Sequence, residues 1–462
     1  MERDSTIHNS TGVIARYIYR MSDFIFRSSI LELLNTVIVR FFVLGLNFAT
    51  TALITRNLSV ADRGKYGYLL NLIYLLMTFL CFGFHSSTVY MVAKKKFYFA
   101  YLYTITCLIS FAAFILLTVF AASGLLQFLC PVLDTQDVVL LIFGAPLVLS
   151  CYFSSYFFLS INDFKRYNFF EFSKSLIFFL ITIITLDLVL SYQYYLSFFI
   201  ISNFLYLVVA FYVFLKLGYI KISMSRLFRD WKRIAAVFKK SVNMASISYI
   251  SCVLAFLLSK YILFFIGAFL KMGIYEREAL GYYSVALANI DMSIVLPSTL
   301  AFYIFPKISA VQQLKDKIAI VNRMILLCII YFAVIAIVSY FFLDDIFIIL
   351  YGPKYLASVS MFEALIPSAV FISIISCISS FIRGMGMEKT AIYAPLWGLI
   401  FLIGGSIALM RSQFNAYHFI YLQNISNFVC IAIYATFFYK KWLTSKRILV
   451  TTIDRTVIKE QQ

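Results

Sequence analysis

Twelve separate runs of roughly 20 predominantly apolar residues punctuate this chain, and no other feature restricts its fold as tightly. At about 1.5 Å of rise per residue, a helical run of that length crosses the roughly 30 Å hydrocarbon layer of a bilayer. The runs fall at 31–55, 66–84, 99–122, 138–159, 173–190, 195–215, 244–268, 281–304, 324–342, 359–382, 391–410 and 416–438. They lack the two-residue alternation of a membrane barrel strand, so helices are the expected spanning element. A soluble fold is excluded by composition. Of the 462 residues, 63% are hydrophobic and 13% charged, whereas soluble chains average about 45–50% and about 25%.

The net charge of +18 would suggest a nucleic-acid partner in a soluble chain. Its placement argues otherwise. Roughly thirty of the 39 Lys and Arg residues fall before the first run, in alternate connections and after the last run, and about seven fall in the remaining connections. Lys94–Lys96 and the segment from Lys216 to Lys240 are the densest clusters. Cations collect on the cytoplasmic side, so the pattern predicts both termini inside, with anionic lipid rather than nucleic acid as the partner of the basic loops. Residues 1–30 are polar and basic, and the first apolar run is too long for the core of a cleavable signal peptide.

The longest connection lies between the sixth and seventh runs and divides the chain evenly. The expected architecture is an all-α integral membrane protein of about 12 transmembrane helices in two six-helix lobes, N-in and C-in. Equivalent helices then run in the same direction, as in a parallel internal repeat. The expected segments are a cytoplasmic amphipathic stretch at 1–30, an N-lobe at 31–215, a basic linker at 216–243, a C-lobe at 244–438 and a cytoplasmic tail at 439–462. Two basic amphipathic stretches support the repeat. Val13, Ile14, Tyr17, Ile18, Met21, Phe24 and Ile25 share one helical face before the first run; Leu227, Phe228, Trp231, Ile234, Ala235 and Phe238 share one before the seventh. Gly67-Tyr68-Leu69-Leu70 and Gly281-Tyr282-Tyr283-Ser284 open the second and eighth runs similarly.

Two cations are left deep inside the runs, Arg40 and Lys260. A charge in the hydrocarbon is expensive and must face a cavity or a partner. Arg40 lies about 13 Å into the first helix, on a face shared with Thr36, Asn47 and Thr51. It reads either as a cation lining a cavity for an anionic substrate, since its planar fork suits phosphate, or as half of a structural pair. Lys260 and Asp291 lie at matched depths on adjacent antiparallel helices, about 12 and 15 Å from their outer ends, so an ion pair is expected. Lys260 could instead meet substrate, and Asp291 could couple transport to an ion. Asn47, Asn71, Asn203, Asn289, Gln423 and Asn427 read as amides bonded between helices. Pro297 and Pro306 are expected to kink or end the eighth helix. Arg56, Arg63 and Lys65 read as outer-loop cations, and Asp344-Asp345 as an acidic doublet in a short outer loop.

Enzymatic chemistry has little support. No phosphate-binding Gly-rich loop with a Lys-Ser/Thr end is present. His8, His85 and His418 are scattered without metal spacing, and the eight cysteines include no C-x-x-C pair. No cofactor, metal or catalytic residue is expected.

The stretch Leu46-Asn47 … Ile54-Thr55-Arg56-Asn57-Leu58 … Arg63-Gly64-Lys65-Tyr66-Gly67-Tyr68 resembles the first-helix signature of bacterial polysaccharide flippases. These are the O-antigen, capsule and exopolysaccharide flippases of the multidrug/oligosaccharidyl-lipid/polysaccharide exporter superfamily. Gly83-Phe84 … Tyr90 … Ala93-Lys94, Gly281-Tyr282-Tyr283-Ser284-Val285-Ala286, Phe305-Pro306 … Ser309 and Leu350-Tyr351-Gly352 … Tyr355 … Ala357 extend the resemblance over about 31–400. Ser59-Val60 stands where that family often has Gly-Pro, and Ser259 where it often has an Asp before the basic residue of helix 7. The resemblance implies translocation of undecaprenyl-diphosphate-linked oligosaccharide across the bacterial cytoplasmic (inner) membrane; the intramembrane placement of Arg40, Lys260 and Asn47 makes these three the expected contacts to diphosphate and sugar. The resemblance also implies work alongside a polysaccharide polymerase and a chain-length regulator. The alternatives are a multidrug or cation antiporter of the same superfamily and, more remotely, a membrane polysaccharide polymerase, which the short outer connections disfavour.

Overall fold

The computed structural model describes residues 38–437 apart from 95–97, 131, 162, 189, 220–230, 270–273, 312, 386, 388 and 410–415. The expected segments at 1–30 and 439–462 lie outside the described residues. Every regular element among the described residues is helical. The first half comprises α1 (Ile38–Asn57), α2 (Val60–Leu80), α3 (Phe84–Lys94), α4 (Tyr98–Ala122), the short α5 (Leu125–Leu129), α6 (Thr135–Ser160), α7 (Phe164–Ile184) and α8 (Tyr192–Lys216). The second comprises α9 (Trp231–Phe269), α10 (Ile274–Ala310), α11 (Leu314–Tyr351), a 3-10 turn (Pro353–Tyr355), α12 (Ala357–Gly384), α13 (Thr390–Leu409) and α14 (Ala416–Phe437). Among the described residues, eleven helices are long and apolar enough to cross a membrane, and α2 with α3, bent by 53°, makes a twelfth. The twelve expected runs each coincide with one of these.

The boundaries differ where charges sit. Ser59 caps α2: its hydroxyl accepts from the Asp62 amide at 3.1 Å and donates to the Asp62 carboxylate at 2.7 Å. The helix therefore starts at Val60, and Arg63 and Lys65 are helical rather than loop cations. Asp163 caps α7 by accepting from the Arg166 amide at 3.1 Å, which draws Glu171 and Lys174 into that spanning helix. Asp344 and Asp345 lie inside α11, not in a loop. α10 continues through Pro297 and Pro306 to Ala310 instead of ending there. Nor is the described part of the linker a separate helix lying flat in the interface. Residues from Trp231 onward are continuous with the spanning part of α9, and their buried face is Ile234, Val237, Ser241 and Ala245.

The break in the second span has a backbone cause. Phe82 and Gly83 have φ of 46° and 71°. A left-handed pair cannot continue a right-handed helix, and only glycine adopts that region without strain.

One apolar core joins the halves through α2, whose Tyr66, Leu69 and Ile73 share it with Leu263 and Ile266 of α9 and Tyr283 and Ala286 of α10. A second, aromatic core lies in the first half, where Phe99 meets Phe157 at 4.7 Å and Phe158 meets Phe214 at 4.5 Å between ring centres. Ile234 and Val237 of α9 complete that core, so α9 begins against the first half and ends in the second. Outward faces stay apolar, as on α11 at Tyr340, Phe341 and Phe342, which is the surface a lipid-facing helix needs.

Candidate functional site

Three groups of charged side chains within the spans bear on the candidate site. In the first half, Arg40 on α1 is exposed and donates to the Tyr167 hydroxyl at 3.1 Å. Tyr167, Glu171 and Lys174 follow one another along one face of α7 at helical spacing. The Glu171 carboxylate accepts from Lys174 Nζ at 3.1 Å and from Ser155 Oγ of α6 at 2.6 Å. Ser155 also shares a hydrogen bond with the Tyr206 hydroxyl of α8 at 2.8 Å, and the Lys174 ammonium sits 5.5 Å from the centre of the Tyr206 ring. About a quarter of the surface of both paired side chains, 24% for Lys174 and 25% for Glu171, stays accessible. The cluster holds two cations and one acid, and Arg40, the surplus cation, is anchored by a neutral phenol.

In the second half, Lys260 of α9 is paired with Asp291 of α10. The Lys260 side chain is 9% exposed and that of Asp291 47%, so the pair offers its acidic edge. Arg40 and Lys260 thus hold separate partners in separate halves. Asn47 is half-buried on α1, two turns beyond Arg40. Asn71 and Asn203 donate to the carbonyls of Gly67 and Phe199 within their own helices rather than across, whereas Asn289 donates to the Val285 carbonyl of its own helix and accepts from the Tyr351 hydroxyl of α11 at 2.8 Å. Gln423 and Asn427 do bridge helices, to the Ser259 carbonyl at 3.3 Å and to Ser368 Oγ at 2.6 Å.

The third group seals the halves together at the α1–α2 turn. Arg63 is buried, donating to Thr55 Oγ1 at 2.7 Å and to Ser284 Oγ of α10 at 3.4 Å. Gly67 leaves the room: a Cβ there would lie 2.9 Å from the guanidinium and 2.8 Å from Ser284 Cβ. From the turn after α11, Lys354 Nζ donates to the carbonyls of Arg56 and Leu58 at 2.8 and 2.7 Å. These carbonyls close the C-terminal end of α1, where a cation is favoured. The Tyr355 hydroxyl donates to the Leu58 carbonyl at 3.1 Å. Burial pushes that phenol above its ordinary pKa.

The sequence singles out Arg40, Lys260 and Asp291 and passes over Glu171, Lys174 and the burial of Arg63. The signals were present in the capping residues Ser59 and Asp163, which extend α2 and α7 over charges that hydropathy alone assigns to loops.

No family model and no curated protein matches the sequence. Solved structures do match in fold. An inward-facing multidrug resistance MATE transporter of the MOP superfamily aligns at 11% identity over 87% of this chain and 95% of its own, with a TM-score of 0.66. The lipid II flippase MurJ in an inward closed conformation aligns at 13% identity over 87% of this chain and 86% of its own, with a TM-score of 0.64. An outward-facing MATE transporter aligns at 12% identity over 88% of this chain and 96% of its own, with a TM-score of 0.58. The chain has the fold of MOP-superfamily transporters, a multi-pass membrane architecture.

Proposed function

We propose that this protein is a flippase that carries undecaprenyl-diphosphate-linked oligosaccharide from the inner to the outer leaflet of a bacterial cytoplasmic membrane, for surface polysaccharide synthesis. The observation that carries the reading is Arg40, an exposed cation within the first spanning helix, held among the described residues by the Tyr167 hydroxyl instead of a carboxylate. A guanidinium so placed is oriented yet keeps donors for a phosphate. Shared fold with a lipid II flippase supports the substrate class.

Alternating access follows from the two halves. With the termini inside, the sealed α1–α2 end faces outward and the Arg40 end inward. The higher similarity to an inward-facing relative than to an outward-facing one agrees with that state. Substrate would bind Arg40 and Asn47, the seal at Lys354 and Arg63 would part, and the halves would rock. Lys260 reaches substrate only by leaving Asp291. A polysaccharide polymerase and a chain-length regulator would act on the delivered unit.

Arg40→Ala tests this. Surface polysaccharide export should stop while protein level and membrane insertion are unchanged; normal export at native expression would remove Arg40 from the site. A second reading, export of organic cations, is favoured by the Glu171 carboxylate and by the MATE relatives. Efflux of a cationic dye from vesicles, lost in Glu171→Gln but not in Arg40→Ala, would establish it instead.

A further inference from the structure

We propose that a crevice between α4, α6 and α8 is a binding site for a neutral lipid alcohol, a hydroxyl on a long apolar chain that carries no phosphate. The crevice has a volume of about 270 Å³, a little under the roughly 300 Å³ at which pockets begin to hold a whole drug-sized ligand. It has room for the polar end of a lipid and its first few carbons, with the rest of the chain outside. Its walls all belong to the first half, so the site is distinct from any path between the halves.

The lining defines the occupant. Buried Tyr103, Thr106 and Ser154, with half-buried Ser150, make a polar floor, while Cys107, Val208 and Phe211 are exposed at the rim. At this depth an exposed apolar rim opens on hydrocarbon: Thr106 lies about 12 Å from the start of α4, and Val208 about 12 Å from the end of α8. The ligand at hand there is a lipid. No lining side chain is charged, so a phosphate or an ammonium would enter without a partner at high cost. That disfavours ordinary phospholipid headgroups and leaves an uncharged polar group.

Hydrogen bonding narrows the choice to an alcohol. The hydroxyls of Thr106, Ser150 and Ser154 each donate at 2.9 Å to a carbonyl of their own helix, those of Tyr103, Pro146 and Ser150. Their protons are engaged and lone pairs remain, so this floor can accept a hydrogen bond but not donate one. The Tyr103 hydroxyl makes no hydrogen bond among the described residues and has a proton to donate. An ester or ketone would satisfy the phenol alone, whereas an alcohol both donates to the floor and accepts from Tyr103. One turn beyond Thr106 on the same face of α4, Ser110 is 8% exposed and its hydroxyl has no partner. This side of α4 therefore holds more hydrogen-bonding capacity than the helices themselves use.

The test uses the full-length protein in vesicles of phosphatidylethanolamine and phosphatidylglycerol, irradiated with hexadecanol that carries a diazirine near its hydroxyl. Mass spectrometry should place cross-links in 103–107 of α4 and 207–211 of α8, lost on adding excess unlabelled hexadecanol. Hexadecyl methyl ether, which cannot donate, should compete about fivefold less well at equal mole fraction. Ser150→Ala/Ser154→Ala should weaken labelling by a similar factor, and Val208→Trp, which closes the mouth and leaves the floor intact, should abolish it. Where the serine pair is needed for folding, Val208→Trp on the exposed rim carries the test alone. Equal competition by the ether, or labelling that persists in Val208→Trp, overturns the proposal. Geranylgeraniol and dioleoylglycerol then separate the sources of the alcohol: stronger competition by the first names an isoprenoid and by the second a glyceride, and competition by neither overturns the assignment.

Discussion

Gly64 of α2 and Gly281 of α10 meet backbone to backbone: a Cβ on Gly64 would lie 2.8 Å from the Gly281 nitrogen, and one on Gly281 only 2.0 Å from the Val60 carbonyl oxygen. The two halves of the protein touch here without an intervening side chain. Small residues permit this closeness in a membrane, where packing replaces the hydrophobic drive.

Gly281→Ala should therefore force the halves apart. Overpacking against backbone costs about 1–3 kcal/mol, and that cost falls on the sealed state alone. Leu58, 2% exposed beneath the seal, is a suitable reporter. A cysteine at that position should react with a membrane-impermeant thiol reagent several-fold faster in Gly281→Ala than in the parent. Equal rates, read above the background of the eight native cysteines, would mean that the glycine contact does not hold the seal.

Lys354→Met removes two charge-assisted bonds to the end of α1, each class worth about 1.5–3 kcal/mol. Opening of the α1–α2 end, read by the same thiol, should rise about tenfold or more. Tyr355→Phe removes a neutral donor and should have a smaller effect, about 0.5–1.5 kcal/mol. The reverse order of effects would show that the phenol, not the ammonium, is the latch.

At the Lys260–Asp291 pair the asymmetry of exposure decides the outcome. Asp291→Asn leaves the buried lysine uncompensated, which is costlier than losing both charges. Thermal unfolding in detergent should show Asp291→Asn less stable than Lys260→Met/Asp291→Asn by about 1–3 kcal/mol. Identical stabilities would mean that the charges are not coupled.

The break between α2 and α3 makes a separate prediction. An alanine at position 83 would need a left-handed backbone, at about 1–2 kcal/mol, and its Cβ would sit 2.8 Å from Ala245 Cβ. Gly83→Ala should lower the unfolding temperature, and adding Ala245→Gly should recover only part of the loss, because the Cβ contact is relieved while the Ala245 carbonyl oxygen, 2.9 Å away, and the torsion are not. Complete recovery would assign the whole cost to the contact.

The sequence made the spans legible because hydrocarbon thickness is a hard constraint on length. It also placed Lys260 beside Asp291, since antiparallel neighbours at equal depth have little choice of partner. Hydropathy alone leaves Arg63 outside the spans. Arg63 looked like a loop residue because a buried arginine is improbable on hydropathy, yet Thr55, Ser284 and the space left by Gly67 accommodate it. Glu171 and Lys174 straddle the start of the fifth run, and a cancelled pair three residues apart enters a helix at little cost. The kink at Phe82-Gly83 packs against α9, where Phe82 meets Tyr249 at 5.8 Å between ring centres, and no local pattern encodes that contact.

α9 has a mechanical consequence. It runs unbroken from Trp231 to Phe269, and from Trp231 to Lys260 it measures about 44 Å. Its first turns grip the first half, where Phe238 meets Phe84 at 5.4 Å and Ser241 meets Met91 at 3.3 Å. A stiff rod clamped at one end and charged near the other behaves as a lever: a small tilt at the grip becomes a larger sweep at Lys260. Inserting a flexible Gly-Gly-Gly hinge between Val242 and Ala245 would leave both halves folded and uncouple their strokes.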